Sequence, residues 1–90
     1  MNVSVDFKGL TTRKELHEYL KNVLMLPDYY GNNLDALHDC MTECSEPLHL
    51  IISGKAELIA NFEQYGDTLL QVLRATAREN PSFSLEFAEE

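Results

Sequence analysis

The 90-residue sequence predicts a small two-layer α/β domain with a three-stranded parallel sheet and about four helices, in the order β-α-α-β-α-α-β. Three short apolar or alternating segments, at the two ends and in the middle of the chain, predict the strands. Two amphipathic helical segments separate each strand from the next, which favours right-handed crossovers between parallel strands. Three strands are too few to carry thick helical layers on both faces, and 90 residues suffice for one core but not for two. We therefore expect residues 1–90 to form a single domain.

The N-terminal segment carries the first strand and the start of the first helix. Val3, Val5 and Phe7 alternate with polar residues, which is typical of a strand. Thr12 and Glu15 then form a capping box, in which each side chain can bond to the other residue's backbone amide. A helix is therefore predicted to begin there.

The first helix is predicted to run to about Met25, with an inward apolar stripe formed by Leu16, Leu20, Val23 and Leu24. His17 and Tyr19 are expected at the helix surface or at its boundary. Nothing around them in the sequence indicates chemistry.

A tight loop and a short second helix follow. Pro27 ends the preceding segment because its ring removes an amide donor and restricts the residue before it. Gly31 is expected to supply a turn conformation that residues with a side chain avoid. Asn33 is well placed as an N-cap, with its side-chain oxygen accepting from the free amides of the first turn. From Leu34 the pattern is helical.

The second helix has an apolar side and an acidic side when residues are placed at about 100° intervals. The apolar side comprises Leu34, Leu37 and Met41, with Ala36, Cys40 and Cys44 beside them. The acidic side comprises Asp35, Asp39 and Glu43, with His38 and Thr42 at its edge. The carboxylates repel one another by about 0.2–0.5 kcal/mol per adjacent pair, and no Lys or Arg lies between Lys21 and Lys55. A face that stays acidic at a cost to its own helix indicates a cationic partner.

The middle of the chain predicts a strand and a third helix. Residues 48–53 are nearly all apolar, which is typical of a strand covered on both faces. His49 is interpreted as a strand-end or interior histidine with its hydrogen bonds satisfied. A short helix is expected over about residues 56–64, and Gly66 is expected to break it.

The C-terminal segment predicts a fourth helix and a last strand. The helix starts at Asp67 or Thr68 and ends at about Glu79, because Asn80-Pro81 stops it. The strand carries the alternating apolar residues Phe83, Leu85 and Phe87. The acidic tail, residues 89–90, is expected to be solvated.

The net charge of −8 and the pI of about 4.7 limit the classes of partner. They argue against direct binding to nucleic acid, which needs basic patches. They favour fast, salt-sensitive association with basic proteins. Acidity that only aids solubility is the alternative, and the clustering of carboxylates on one helix disfavours it.

Targeting segments and metal motifs are not evident. No apolar run approaches the ~20 residues that span a bilayer, and the N-terminus has no continuous apolar signal segment, so a cytoplasmic protein is expected. Cys40 and Cys44, the two cysteines, lie on the apolar side of their helix and are expected to be small buried hydrophobes in a reduced compartment. Two such ligands without a matching pair do not make a structural zinc site, and no cofactor is expected.

An enzyme site is conceivable on the second helix but is not expected. Asp35, His38 and Asp39 occupy neighbouring positions, as a metal or acid–base site would require. A single exposed helix, however, gives little of the enclosed, water-poor pocket that tunes such groups. No other segment offers an evident nucleophile, phosphate loop or further ligand. His38 is therefore interpreted as a surface contact residue.

Residues 26–40 carry the long pattern Leu-Pro-x-Tyr-Tyr-Gly-x-Asn-Leu-Asp-Ala-Leu-x-Asp-Cys. This pattern resembles the barstar family, the small intracellular inhibitors of barnase-type ribonucleases. The similarity continues more weakly through residues 69–74 and in the order of elements, so it extends over the whole chain. It implies the same three-stranded parallel fold and a 1:1 complex with a basic ribonuclease. It implies no direct contact with nucleic acid or membrane, and a monomer when free.

The resemblance also implies which residues bind. The loop and helix over residues 27–43 would occlude the ribonuclease active site, whose Lys, Arg and His normally hold RNA phosphates. Asp39 would stand in for a phosphate, Asp35 would pair with a nearby arginine, and Tyr29 would cover the side of the site. Tyr30 is expected to pack in the core instead. The remaining contact residues would be Gly31, Asn33, His38, Thr42 and Glu43.

The sequence departs from the family pattern in places that bear on the partner. Aromatic residues of the family are absent at His38 and near Cys44, an acidic one is replaced by Ala75, and the chain is one residue shorter after Thr42. Protonation of His38 below about pH 6.5 would weaken binding to a cationic partner. Two alternatives stay open: an immunity protein or binding module for another basic toxin or regulator, and a stand-alone regulatory domain without a nuclease partner.

Overall fold

The computed structural model describes residues 1–88, which form three strands and four helices. The strands are β1 (Asn2–Asp6), β2 (Leu48–Ser53) and β3 (Phe83–Phe87), and the helices are α1 (Arg13–Val23), α2 (Leu34–Thr42), α3 (Lys55–Phe62) and α4 (Gln64–Glu79). β2 lies between β1 and β3, and both neighbouring pairs are parallel. The predicted α/β class, element order and three-stranded parallel sheet are confirmed.

The sheet packs on the helices through one face. Each strand and helix contributes to one cluster of buried apolar side chains, which includes Val5, Leu16, Leu37, Leu50, Leu58, Leu69, Leu73 and Phe83. β2 is buried only at alternate positions and half-buried between them, so the prediction of a strand covered on both faces is wrong. The second face is polar: His49 Nδ1 lies 2.7 Å from Ser84 Oγ, and His49 Nε2 lies 2.9 Å from Glu86 Oε1. These contacts satisfy both ring nitrogens of His49.

α1 begins as predicted and ends two residues early. The amide of Glu15 donates to Thr12 Oγ1 at 3.1 Å, and the amide of Thr12 donates to Glu15 Oε1 at 3.1 Å, which completes the capping box. The helix ends at Val23 because Met25 has a left-handed φ of 54°, which an α-helix of L-residues cannot continue through. This early end sets the path of the loop that leads to α2.

The break between α3 and α4 lies at Glu63 and not at Gly66. Glu63 has φ 52° and ψ −126°, and α4 starts at the next residue. Gly66 belongs to the first turn of α4, where an added Cβ would lie 2.9 Å from the carbonyl oxygen of Leu58. Glycine at position 66 therefore permits close packing of α4 on α3, a role different from the predicted one.

The C-terminal part follows the predicted boundaries. α4 ends at Glu79, Asn80 has an extended backbone, and β3 begins at Phe83. The predicted solvated tail, residues 89–90, lies outside the described residues. Among the helices of residues 1–88, none is long and apolar enough to cross a bilayer.

Candidate protein-binding site

Two adjacent tyrosines in the loop before α2 have opposite environments. Tyr29 is 82% exposed, whereas Tyr30 is 6% exposed and belongs to the core. The Tyr30 hydroxyl lies 2.6 Å from Nδ1 of His17. The packing role predicted for Tyr30 is confirmed, and Tyr29 presents its ring to solvent beside α2.

The turn into α2 is shaped by asparagines. Asn32 adopts a left-handed φ of 54°, whereas Gly31 does not, so the prediction that Gly31 supplies the unusual backbone conformation is wrong. Asparagine enters this region more readily than most residues. Asn33 Nδ2 donates to the carbonyl of Gly31 at 3.1 Å, and a Cβ on Gly31 would lie 3.1 Å from the same nitrogen. Gly31 therefore makes room for the side chain of the N-cap.

α2 presents three carboxylates to solvent. Asp35, Asp39 and Glu43 are all exposed, and at about 100° per residue they lie within an arc of about 80°; we call them the acidic face. Asp35 lies in the first turn, where the helix dipole favours it, but Glu43 is the C-cap residue, where the dipole disfavours it. The last turn of α2 holds no basic residue. The helix dipole therefore favours Asp35 but not Glu43, and the mutual repulsion of the three carboxylates opposes the stability of the helix.

One edge of the acidic face is formed by His38 and Thr42. His38 Nε2 lies 2.6 Å from Glu79 Oε2, and His38 Nδ1 lies 4.0 Å from Asp39 Oδ1. The Thr42 hydroxyl lies 2.9 Å from the carbonyl oxygen of His38 and 3.1 Å from that of Asp39, so its proton is directed to its own helix. Glu79, which the sequence did not indicate, thus adds a fourth carboxylate at this edge.

α2 is fixed at both ends by asparagine side chains. At the N-terminus, Asn33 Oδ1 accepts from the amide of Ala36 at 2.8 Å, as predicted. At the C-terminus, Nδ2 of the buried Asn80 donates to the carbonyls of Met41 and Cys44, at 2.9 Å each. The Met41 carbonyl also accepts from the amide of Cys44 at 3.4 Å, and Cys44 lies just beyond the C-cap residue. Asn80 thus ties the last turn of α2, and the residue that follows its cap, to the start of the loop after α4. The backbone that carries the acidic face is therefore held in place from α4.

A buried hydrogen-bond cluster lies beneath the loop before α2. His17 is 1% exposed, so the prediction of a surface or boundary residue is wrong. Its Nδ1 lies 2.6 Å from the Tyr30 hydroxyl, and its Nε2 lies 2.6 Å from the Tyr65 hydroxyl. The Arg13 guanidinium lies over the Tyr65 ring, 3.9 Å from its centroid. The cluster links α1, the loop and α4.

Burial controls ionisation in this cluster. Burial, and then the charge of Arg13, lower the pKa of His17 below its ordinary value of 6.5. Burial also raises the pKa of Tyr30 and of Tyr65. His17, Tyr30 and Tyr65 are therefore uncharged near pH 7, and one imidazole nitrogen accepts a hydrogen bond from a tyrosine hydroxyl while the other donates one.

The counter-charges near the site are few. Lys21 Nζ lies 3.9 Å from Asp28 Oδ1, at the loop. The thiols of Cys40 and Cys44 are free and half-buried, which is less than the burial predicted for them. Burial, followed by the charges of Glu43 and Asp39, raises the pKa of Cys40. Within residues 1–88, no group of three His, Cys, Asp or Glu side chains is arranged to hold a metal ion.

The fold and the site together define a small α/β protein that presents an uncompensated acidic helix face to solvent. The family model described as Barstar (barnase inhibitor) matches residues 1–88. The chain belongs to the barstar family. It is also 35% identical over 78 residues to the protein named "Putative ribonuclease inhibitor YrdF" of Bacillus subtilis (strain 168), an alignment that covers 86% of each chain.

Proposed function

We propose that this protein inhibits a basic, barnase-type ribonuclease by occluding its active site with residues 27–43. The observation that carries the proposal is the acidic face: exposed carboxylates that form no ion pair with a lysine or arginine within residues 1–88, on a helix held at both ends. Membership of the barstar family and the printed name of the Bacillus subtilis relative support the class of partner. The net charge of −8 supports electrostatic attraction to a basic enzyme.

Each contact residue has a role in this proposal. Asp39 takes the position of an RNA phosphate and accepts charge-assisted hydrogen bonds from the cations of the active site. Asp35 pairs with an arginine, and Tyr29 covers the side of the site with its exposed ring. Gly31, Asn33, His38, Thr42 and Glu43 complete the surface. Because the Asn33 amide and the Thr42 hydroxyl proton bond within the chain, these two residues mainly fix the shape of that surface.

The inhibitor carries out no chemistry in this mechanism. It acts as a monomeric single domain in a 1:1 complex in the cytoplasm, and it touches the ribonuclease rather than RNA. Competition with RNA follows because carboxylates occupy the cationic groups that bind phosphate. Since these contacts are ionic, screening by salt should weaken the complex.

The test is a titration of this protein into barnase while RNA cleavage is followed, at low and at high salt. We expect stoichiometric inhibition that weakens as salt is added. Asp39→Ala should raise the inhibition constant by at least about tenfold, because a hydrogen bond to a charged group contributes ~1.5–3 kcal/mol. Asp35→Ala should raise it less.

A matched control separates the acidic face from net charge. Glu18→Ala removes a carboxylate from the exposed side of α1 and should leave inhibition nearly unchanged, and thermal unfolding should show that all variants are folded. Absence of inhibition by the parent protein, or equal inhibition by the parent and Asp39→Ala, would overturn the proposal.

A further inference from the structure

An apolar groove lies on the other edge of α2, opposite His38. It has a volume of about 300 Å³ and runs between the loop after α1 and the helix. Its walls include Leu24, Leu26, Pro27, Cys40, Met41 and Leu48. Met25 and Tyr29, which are 79% and 82% exposed, also line it. Two large exposed hydrophobic side chains beside one groove indicate a contact surface.

The groove contains one charged group. Glu43 is the only ionisable carboxylate among the residues that line it, and within residues 1–88 its side chain forms no ion pair. A cationic partner for Glu43 is also absent from the neighbouring sequence, because residues 22–54 contain no Lys or Arg. Burial first, and then the charges of Glu43 and Asp39, raise the pKa of Cys40, which lines the groove.

The groove adjoins the acidic face directly. At about 100° per residue, Glu43 lies between Asp39 on one side and Cys40 on the other. Glu43 therefore belongs both to the acidic face and to the rim of the groove, and Tyr29 is likewise shared. A partner that covers the acidic face also covers the opening of the groove.

We propose that the groove receives one lysine or arginine side chain of the ribonuclease, with its methylene stem against the apolar walls and its cationic head on Glu43. This inference rests on the proposed function and names a further contact of the same site. A wholly apolar side chain would remove water from Glu43 without replacing its hydrogen bonds, which is costly. A long cationic side chain satisfies both parts of the groove, since its stem is apolar and its head is charged.

The experiment is a double-mutant cycle with barnase as the probe. Leu26→Trp enlarges a side chain of the groove wall so that it fills the groove, and Glu43→Gln neutralises its rim. Each should raise the inhibition constant by about tenfold, and the double variant should raise it little further, because both changes remove the same contact. The matched controls are Ser45→Trp and Glu46→Gln, which introduce the same side chains at exposed residues that do not line the groove.

The outcomes separate this proposal from the proposed function. Loss of inhibition in Asp39→Ala, together with unchanged inhibition in folded Leu26→Trp or additive effects in the cycle, would overturn the groove contact alone. A second measurement does not depend on the ribonuclease: n-butylguanidinium should shift the methyl signals of Met25 and Met41 but not that of Met1. These shifts should vanish in Leu26→Trp. No shift at up to about 100 mM, above the range expected of so small a ligand, would also overturn the groove contact.

Discussion

His17 Nδ1 and the Tyr30 hydroxyl lie 2.6 Å apart in the core, although the residue before Tyr30, Tyr29, is 82% exposed. This hydrogen bond ties the loop that precedes the acidic face to α1. The second ring nitrogen of His17 extends the tie to Tyr65 in the first turn of α4. The loop is therefore held by a polar cluster in addition to apolar packing.

Stability should depend on pH through His17. Its pKa in the folded protein lies below the ordinary value of 6.5, chiefly because of burial and then because of Arg13. The unfolded chain therefore binds a proton at His17 more readily than the folded protein does. The contribution of neutral His17 to the free energy of unfolding is complete above about pH 6.5 and is lost as the pH falls below that value. Urea unfolding between pH 7.5 and 5 should show this loss. His17→Gln cannot titrate there and should have a smaller slope; equal slopes would contradict the assignment.

Tyr30→Phe should destabilise the protein by about 1–3 kcal/mol, because it leaves a buried nitrogen of His17 without its partner. The measurement is the free energy of unfolding in urea at pH 7.5. Tyr29→Phe is the matched control: it makes the same change at the adjacent, 82% exposed position and should stay within about 0.5 kcal/mol of the parent. Similar losses in the two variants would contradict the role of the buried hydroxyl.

Asn80→Ala should loosen the end of α2. The substitution removes a buried hydrogen bond to the carbonyl of Met41 and a partly buried one to that of Cys44, at a cost of about 1–3 kcal/mol. Hydrogen exchange should rise in the last turn of α2, and binding to barnase should weaken although no contact residue has changed. Asn22→Ala, on the exposed side of α1, should do neither.

Leu37→Ala and Asp39→Ala, both in α2, should have different effects: the first should lower stability and the second should weaken inhibition. Leu37 is fully buried beneath the acidic face, so its truncation should destabilise the domain by about 2–5 kcal/mol. Asp39→Ala should instead reduce inhibition while the unfolding midpoint stays near that of the parent. A large stability loss in Asp39→Ala would mean that the carboxylate supports the fold.

The sequence was sufficient for the features that depend on local pattern. The order of strands and helices, the capping box at Thr12 and the N-cap at Asn33 each follow from neighbouring residues. The errors occur where tertiary contacts decide. Glu63, rather than Gly66, has the positive φ at the α3–α4 break. Gly66 instead permits the close packing of α4 on the backbone of Leu58.

Tertiary contacts also explain why the sequence did not indicate the burial of His17 or the position of Glu79 beside His38. His17 lies beside Leu24 on the helical wheel, at the margin of the apolar stripe, and that was the one local signal of its burial. Its partner Tyr65 is 48 residues away, and Glu79 is 41 residues from His38. No periodicity within one helix reports such contacts.

Binding should weaken as His38 becomes protonated. Its ring lies 2.6 Å from Glu79 and 4.0 Å from Asp39, so a positive charge on it would partly neutralise the carboxylates that we propose to contact the ribonuclease. We expect the inhibition constant for barnase to rise as the pH falls from about 7.5 to about 5.5. Because the ribonuclease also titrates, the useful quantity is the ratio of the parent's constant to that of His38→Gln at each pH. A ratio that rises at low pH supports the role of His38, and a ratio independent of pH would exclude it.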